Sequence, residues 1–521
     1  MLTSSNNLVK TKILLIIEMA ILQRLSTGGM QPFFGVLDYR LFSLPVHTRT
    51  LLSARYCQNK SRGAIAPKVT ATSTSSTMEL LDIEAQQPMP RSHAYSMLRY
   101  IILNTYRRLF TLVFVANIIA FGVVITKEPS LSNVITASAV NFLVCGLARQ
   151  PLVVNMMFKY CCKMPRSAPL RLRMWATKVF HYGGVHSGAG VASLLWYVGA
   201  VALLTDDYLN NLSRGAAELA AIVVAYLILF LLLSIVIVSM PSIRRRLHNQ
   251  FELIHRFAGW ASILLFWVLL LVISSTKPPM RSFLVREPGF WVLIAITAAV
   301  ITPWLTLRRV AVTAEPLSTH AIRLHFEHTT LDFGQGLSVA RHPFRDWHSF
   351  AGVPDKFDDT YGTNFSLLVS KAGDWTSNCI SSPPTHLWKR AVPSYGFGYV
   401  MQNFSSMILV TTGSGIGPSL SFLALAEHMR PRMRIIWQTK TPEITYGARV
   451  LALVRQLDPN VVIIDTSKAG GRVDMLPKVL ELRDKEGAEA VGVISNPRLT
   501  GKLVFELERW GVPAYGPIFD S

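Results

Sequence analysis

Six long apolar runs follow one another through the middle of the chain, at residues 109–126, 132–158, 186–204, 216–239, 257–274 and 290–306. Most meet or approach the ~20 residues that a helix needs to cross a bilayer. Asn141, Arg149 and Asn155 interrupt the second run, and His181 and His186 stand where the third begins. Beyond Arg309 the period changes. RVAVTAEPLSTHAIRLHFEH (309–328) alternates apolar and polar residues as a half-buried strand does, and Gly334, Gly336 and Pro343 supply turns. A short apolar strand, Met407 to Val410, then runs into Gly413-Ser414-Gly415-Ile416-Gly417-Pro418 and a helical pattern. RIIW, VVIID and AVGVIS alternate with helical stretches at 446–457, 475–485 and 499–509, which predicts a parallel α/β sheet. The expected fold is a multi-domain membrane protein. Residues 1–98 read as leader-like or disordered, 99–307 as a six-helix transmembrane bundle, 308–405 as an antiparallel β-barrel and 406–521 as a parallel α/β nucleotide-binding domain.

Composition agrees with the apolar runs. Half of the 521 residues are hydrophobic and 16% are charged, against about 25% in soluble proteins. A purely soluble enzyme, a disordered chain and a small disulfide scaffold are excluded. The formal charge of +21 fits either a nucleic-acid binder or a membrane protein with basic cytosolic loops. Its distribution favours the membrane and no nucleic-acid partner. Arg107 and Arg108 precede the first run, six Lys and Arg from Lys159 to Lys178 fill the second loop, and Arg244, Arg245, Arg246 and Arg256 fill the fourth. Asp206 and Asp207 lie on the opposite side. Both termini are therefore expected in the cytosol, in a plasma membrane or endomembrane that the sequence does not distinguish. The five cysteines form no pair or cluster with zinc spacing. Residues 1–77 carry nine Lys and Arg but only Glu18 and Asp38. That fits a transit peptide, a disordered tail, or a start that truly lies at Met78.

A glycine turn between a strand and a helix lets backbone N–H groups face a pyrophosphate. Gly413, Gly415, Gly417 and Pro418 are the candidates for a nicotinamide nucleotide. Further motifs give the chain a family resemblance: FELIHRFAGW (251–260), RHPFRDWHSF (341–350), SLLVSKAGDWTSNCI (366–380), GGRVDM (470–475) and ISNPRLT (494–500). Residues 100–521 resemble the ferric reductase and NADPH oxidase family, with a ferredoxin reductase-like cytosolic half, and come nearest to fungal TmpA-type transmembrane flavoprotein oxidoreductases. The resemblance implies FAD and NAD(P)H as cofactors. It assigns flavin contacts to Arg341, His342, Pro343 and Phe344, and the FAD pyrophosphate to Lys371, Gly373 and Thr376. Arg472 would meet the adenosine side of the nucleotide or be surface charge. Ser495 takes the place of the usual cysteine beside the nicotinamide. Phe519 would stack on the flavin or anchor the tail.

The family also implies two haems held by histidine pairs on the third and fifth helices. Haems roughly 20 Å apart need ligands about 13 residues apart on a helix. One such step from His186 and His255 reaches Gly199 and Val268. A single haem between His186 and His255 is the most that this chain would hold. The expected activity is transfer of electrons from NAD(P)H to FAD on the cytosolic side and on to an unknown acceptor, in fungal developmental signalling or metabolite oxidoreduction. A true ferric reductase or oxidase, and a nucleotide-binding membrane sensor with little turnover, are the alternatives.

Overall fold

A computed structural model of the chain describes residues 90–518 apart from 128, 211–214, 278, 346 and 356–362. Most of the leader-like expectation, and Phe519, lie outside the described residues. Residues 93–102, partly inside that expected leader, are helical.

The apolar runs become helices α1 (Thr105–Thr126), α2 (Leu131–Leu147) and α3 (Pro151–Cys161), then, after a short α4 (Leu170–Thr177) within the basic loop, α5 (Gly183–Asn210), α6 (Ala216–Val238), α7 (His248–Ser275) and α8 (Pro288–Leu305). Among the described residues five of these are long and apolar enough to cross a membrane. The number is six if α2 and α3, bent by 68°, count as one span. The bend departs from the single second run read from the sequence. Its cause is local: Gln150 Oε1 accepts the N–H groups of Leu152 at 2.6 Å and Val153 at 3.2 Å, and Pro151 opens the new helix. A residue before proline avoids the helical region, and proline suits a first turn.

The described chain falls into two compact units. The described part of one is Leu233–Gly259, where Arg244 lies over the Phe251 ring at 5.5 Å and His248 faces Glu252 at 3.5 Å. Pro90–Leu232 and Trp260–Ser521 form the other. In it, glycines let α5 approach α1 closely. A Cβ on Gly184 would lie 2.2 Å from the Tyr106 carbonyl oxygen, and one on Gly188 would lie 3.0 Å from that of Phe110. This is small-residue packing of the kind used between apolar helices. Asn117 Oδ1 accepts from Asn141 Nδ2 at 2.8 Å and Trp196 Nε1 at 2.9 Å, so the polar interruption in α2 becomes an inter-helix bond.

The carboxyl-terminal half contains two sheets. The first is antiparallel and nearly closed. Its strands are β1 (Arg308–Ala311), β2 (Thr313–Pro316), β3 (Ala321–Phe326), β4 (Gln335–Ala340), β5 (His348–Pro354), β6 (Phe365–Ser370), β7 (His386–Lys389) and β8 (Ser394–Tyr395), with α9 (Asp374–Ser381) after β6. The order is β1-β7-β4-β5-β6-β3-β2, with β8 on β4. The second sheet is parallel: β9 (Ser406–Thr412), β10 (Arg432–Thr439), β11 (Val462–Asp465), β12 (Ala490–Ile494) and β13 (Ala514–Tyr515), in the order β11-β10-β9-β12-β13. One apolar core joins the two sheets, with Val353 and Leu368 packed among Ile416, Leu420, Phe422 and Trp437.

The loop after α3, together with α4, docks on this half. Arg173 is buried and makes a bidentate pair with Glu489, at 2.7 and 2.9 Å, and also donates to the Asn403 carbonyl. The Arg173 hydrogen bond outweighs burial and holds the Glu489 carboxyl below its ordinary range. Arg166 donates to the carbonyls of Gln402 and Met429. Asn155 bridges the Pro393 carbonyl and the Tyr395 N–H at 2.8 and 2.9 Å.

Candidate functional site

The parallel sheet reverses its strand order at β9, because β10 lies on one side and β12 on the other. Open α/β sheets bind ligands at the carboxyl end of such a switch point. Here β9 runs into a 3-10 turn, Gly413–Gly415, and a single helical turn, α10 (Ile416–Leu420). The helix expected after the glycines is confined to this one turn. Ser421 donates its hydroxyl to the Pro418 carbonyl at 2.6 Å, a back-bond that competes with regular helix. The chain then continues as a second 3-10 turn, Ser421–Ala424.

Ser495 follows β12 directly. It shares a hydroxyl–hydroxyl hydrogen bond of 2.5 Å with Thr412, and its N–H donates to Thr500 Oγ1 at 3.1 Å. Gly413, Gly415, Gly417, Pro418 and Ser495 are therefore brought together at one edge. The three glycines differ physically. Gly413 has φ of +54°, and its carbonyl accepts from Trp437 Nε1 at 2.9 Å. A Cβ on Gly417 would sit in ordinary contact, 3.6 Å from Leu368 Cβ. A Cβ on Gly415 would lie 2.5 Å from the Ile494 carbonyl oxygen and 2.6 Å from Thr411 Oγ1. The demand for glycine at 415 thus comes from packing against β12.

Among the described residues the buried hydroxyls of Thr411 and Ser419 have no hydrogen-bond partner. The leading N–H groups of a helical turn likewise precede any internal acceptor. A half-exposed turn with unfilled donors suits a nucleotide phosphate.

Lys371, Gly373 and Thr376 continue from β6, whose Leu368 touches the glycine turn. Nothing lies within 4 Å of a Cβ placed on Gly373, so this backbone opens to space, and Lys371 is exposed. Thr376 faces inward. Its hydroxyl accepts from the N–H groups of Ala372 at 2.8 Å and Gly373 at 3.0 Å and donates to the Gly373 carbonyl. Thr376 thus shapes the backbone at the start of α9 through its hydroxyl.

Arg341, His342, Pro343 and Phe344 form an exposed turn after β4 that is tied elsewhere. Arg341 donates to the carbonyls of Asn378, at 2.9 Å, and Ser382 at the end of α9. His342 Nδ1 accepts the Phe344 N–H at 3.3 Å, and the Pro343 carbonyl accepts from Trp347 Nε1 at 2.9 Å. Phe344 stacks on Trp304 of α8 at 6.0 Å, and Arg390 lies over both Trp304 and Trp347. This turn anchors the barrel to the end of α8. Arg472 is exposed on a loop held by Gln438, which accepts the Val473 N–H at 2.7 Å. Of the two histidines considered for haem, His186 Nδ1 meets the Cys145 carbonyl at 2.8 Å, and His255 lies 5.3 Å from the Phe251 ring. Among the described residues no three His, Cys, Asp or Glu are grouped to hold a metal ion.

Three further features leave little signal in the sequence. Gln438 fixes the Arg472 loop, and its signal was one amide at the end of the apolar strand RIIWQT. Trp375 packs on His348 at 4.6 Å and Phe350 at 5.7 Å, linking α9 to β5. Inside the barrel, Asp355 accepts from Arg323, His325, Thr363 and Ser366, all at 2.7 or 2.8 Å. Burial pushes the Asp355 carboxyl up, but these partners together hold it below its ordinary range. Burial pushes His325 down, and its bonds to Asp355 and Glu315 raise it overall.

The family described as adenylate-forming reductase 03009, C-terminal domain, matches residues 397–521. Adenylate-forming reductase 03009 of Coprinopsis cinerea is 40% identical over 429 residues, covering 81% of this chain and 41% of that protein. Adenylate-forming reductase 06235 of the same fungus is 36% identical over 432 residues, with the same coverage of 81% and 41%. The chain thus spans about two fifths of the length of the curated relatives it matches. Among solved structures, flavohemoglobin from Malassezia yamatoensis covers 75% of this chain and 98% of its own, at 14% identity and TM-score 0.36. A ferredoxin NADP+ reductase from Neisseria gonorrhoeae covers 41% of this chain and 99% of its own, at 14% identity and TM-score 0.32.

Proposed function

We propose that the chain is a membrane-anchored flavoprotein reductase of the TmpA type, which draws electrons from NAD(P)H through FAD and delivers them to an acceptor beside its helical half. One observation carries the reading. The glycine turn after β9 and Ser495 after β12 meet at the switch point of a parallel sheet, directly behind an antiparallel barrel. The matched family segment, 397–521, contains this whole edge. The open backbone at Gly373 supports a neighbouring pyrophosphate site on the barrel.

FAD, when bound, supplies the coupling of hydride chemistry to electron transfer. The chain's residues supply position. Gly413 to Gly417 hold the nucleotide phosphates, Ser495 borders the nicotinamide, and Lys371 with the Gly373 backbone faces the FAD pyrophosphate. Thr376 keeps that backbone in place. The reading requires no haem.

The basic loop after α3 and the carboxyl-terminal half share one side, because Arg166 and Arg173 join them. With positive loops inside, this supports a cytosolic carboxyl terminus. Protease should digest a carboxyl-terminal tag on cytosol-side-out vesicles without detergent; a protected tag contradicts this orientation. Purified protein should also turn over NADPH with an artificial dye. Nucleotide binding without turnover would instead favour the membrane sensor.

A further inference from the structure

A cavity of about 130 Å³ lies where the bent pair α2–α3 meets the carboxyl-terminal half. Arg149, at the break between the two helices, faces it from one side, and Pro517 and Ile518 of the tail after β13 close the other. Tyr106, Phe158, Phe180, Tyr182, Tyr395 and Phe397 contribute aromatic walls. Phe180 meets Phe397 edge-on at 5.4 Å, and Phe158 meets Tyr182 at 6.2 Å, so the rings brace one another.

The guanidinium of Arg149 rests over the Tyr182 ring at 5.4 Å, and no oxygen among the described residues accepts a hydrogen bond from it. Arg166 on the following loop and Arg173 on α4, by contrast, donate to carbonyls and a carboxylate. Arg149 therefore presents its five N–H donors to an aromatic space. The volume is that of one six-membered ring, since an apolar cavity of about 150 Å³ takes benzene. A ring bearing an acceptor oxygen satisfies both the walls and the cation.

The tail connects this space to the nucleotide edge. A Cβ on Gly516 would lie 3.2 Å from the Val493 carbonyl oxygen and against Thr500, the residue that holds the Ser495 N–H. An aryl carboxylate would fit the cavity but accepts no electrons from a reduced nicotinamide. A quinone does. We propose that this cavity is the acceptor site and that it takes a monocyclic quinone, with one carbonyl oxygen on Arg149. The proposal rests on the reductase reading above. Overall, NAD(P)H gives up two electrons and one proton, a second proton comes from solvent, and the two quinone C=O groups become the C–OH groups of a hydroquinone.

The test is calorimetric titration of the purified full chain with 2,6-dimethyl-1,4-benzoquinone, without nicotinamide nucleotide. Saturable binding at one site per chain is expected. Arg149→Met should weaken it by about tenfold or more, the worth of hydrogen bonds to a charged group. Arg149→Lys, which keeps charge but loses the planar fork, should weaken it less. Ile518→Trp, which fills the cavity from the tail, should block binding without lowering the melting temperature. Absence of quinone binding, unchanged affinity in Arg149→Met, or binding of benzoate in preference to the quinone would overturn the proposal. Dye reduction by the wild-type protein is measured in parallel. If it is present while quinone binding fails, the acceptor assignment falls alone; if it is absent, the reductase reading falls and takes this one with it.

Discussion

Gly415→Val is expected to abolish NADPH-driven flavin reduction and to destabilise the parallel sheet by about 3 kcal/mol, the upper end of overpacking costs. The Cβ of residue 415 would press on a strand carbonyl at 2.5 Å and on Thr411 at 2.6 Å. The first is backbone and the second is the end of a short, fully buried side chain, so the turn must move away from β12. That motion separates Thr412 from Ser495 and removes the edge on which the nucleotide would lie. Two milder changes calibrate the effect. Gly413→Ala meets only Tyr446 Oη at 3.4 Å but forces a side chain to φ of +54°, which costs about 1 kcal/mol. Gly417→Ala, with its nearest neighbour at 3.6 Å, should stay within about 0.5 kcal/mol of wild type, as substitutions without strain do. Melting temperatures of the three variants test the ranking. Equal effects at 413, 415 and 417 would mean that packing against Ile494 is not what selects glycine.

Asp355→Ala is expected to loosen the barrel by about 3 kcal/mol, because it removes the nearer carboxylate from a buried arginine and leaves it Glu315 at 3.8 Å. Asp355 is 2% exposed and Arg323 is equally buried, so water cannot replace the lost bonds. The same network sets a pH window. Asp355 is lowered in the fold, so its contribution is present above the ordinary carboxylate pKa of about 4 and is lost as pH falls through the folded value. His325 is raised, so its contribution is full below about 6.5 and is lost as pH rises through its folded value. Hydrogen exchange of β3 and β6 amides should therefore be slowest between these limits. Asp355→Asn should flatten both limbs. A wild-type profile that stays flat from pH 3 to 9, with allowance for intrinsic exchange, would contradict the role given to this cluster.

Much of the architecture was legible because it is carried by period. Long apolar runs became helices, alternation after Arg309 became the antiparallel sheet, and short apolar strands between helical stretches became the parallel one. The bend at Arg149–Gln150 was also written in the chain, as Gln150-Pro151, but an uninterrupted count of apolar residues conceals a helix start inside a run. Side-chain engagements were less legible. His342-Pro343-Phe344 matches a flavin signature in one dimension, yet Phe344 stacks on Trp304 and Arg341 is tied to the end of α9. Those partners lie 40 and 37 residues away along the chain. The glycine loop is legible as a motif, whereas the close approach of position 415 to the Ile494 carbonyl comes from the register of β9 against β12 and has no signal in the sequence. Arg149 read as an interruption in a span, because its aromatic surroundings come from four separate segments.

The most direct test of the central claim is an anaerobic absorption spectrum of the purified full-length protein before and after stoichiometric NADPH. The account predicts one FAD per chain whose visible band bleaches on addition of NADPH and returns with an oxidant. Protein purified without flavin that also fails to take up added FAD, or bound FAD that stays oxidised in the presence of NADPH, would contradict it.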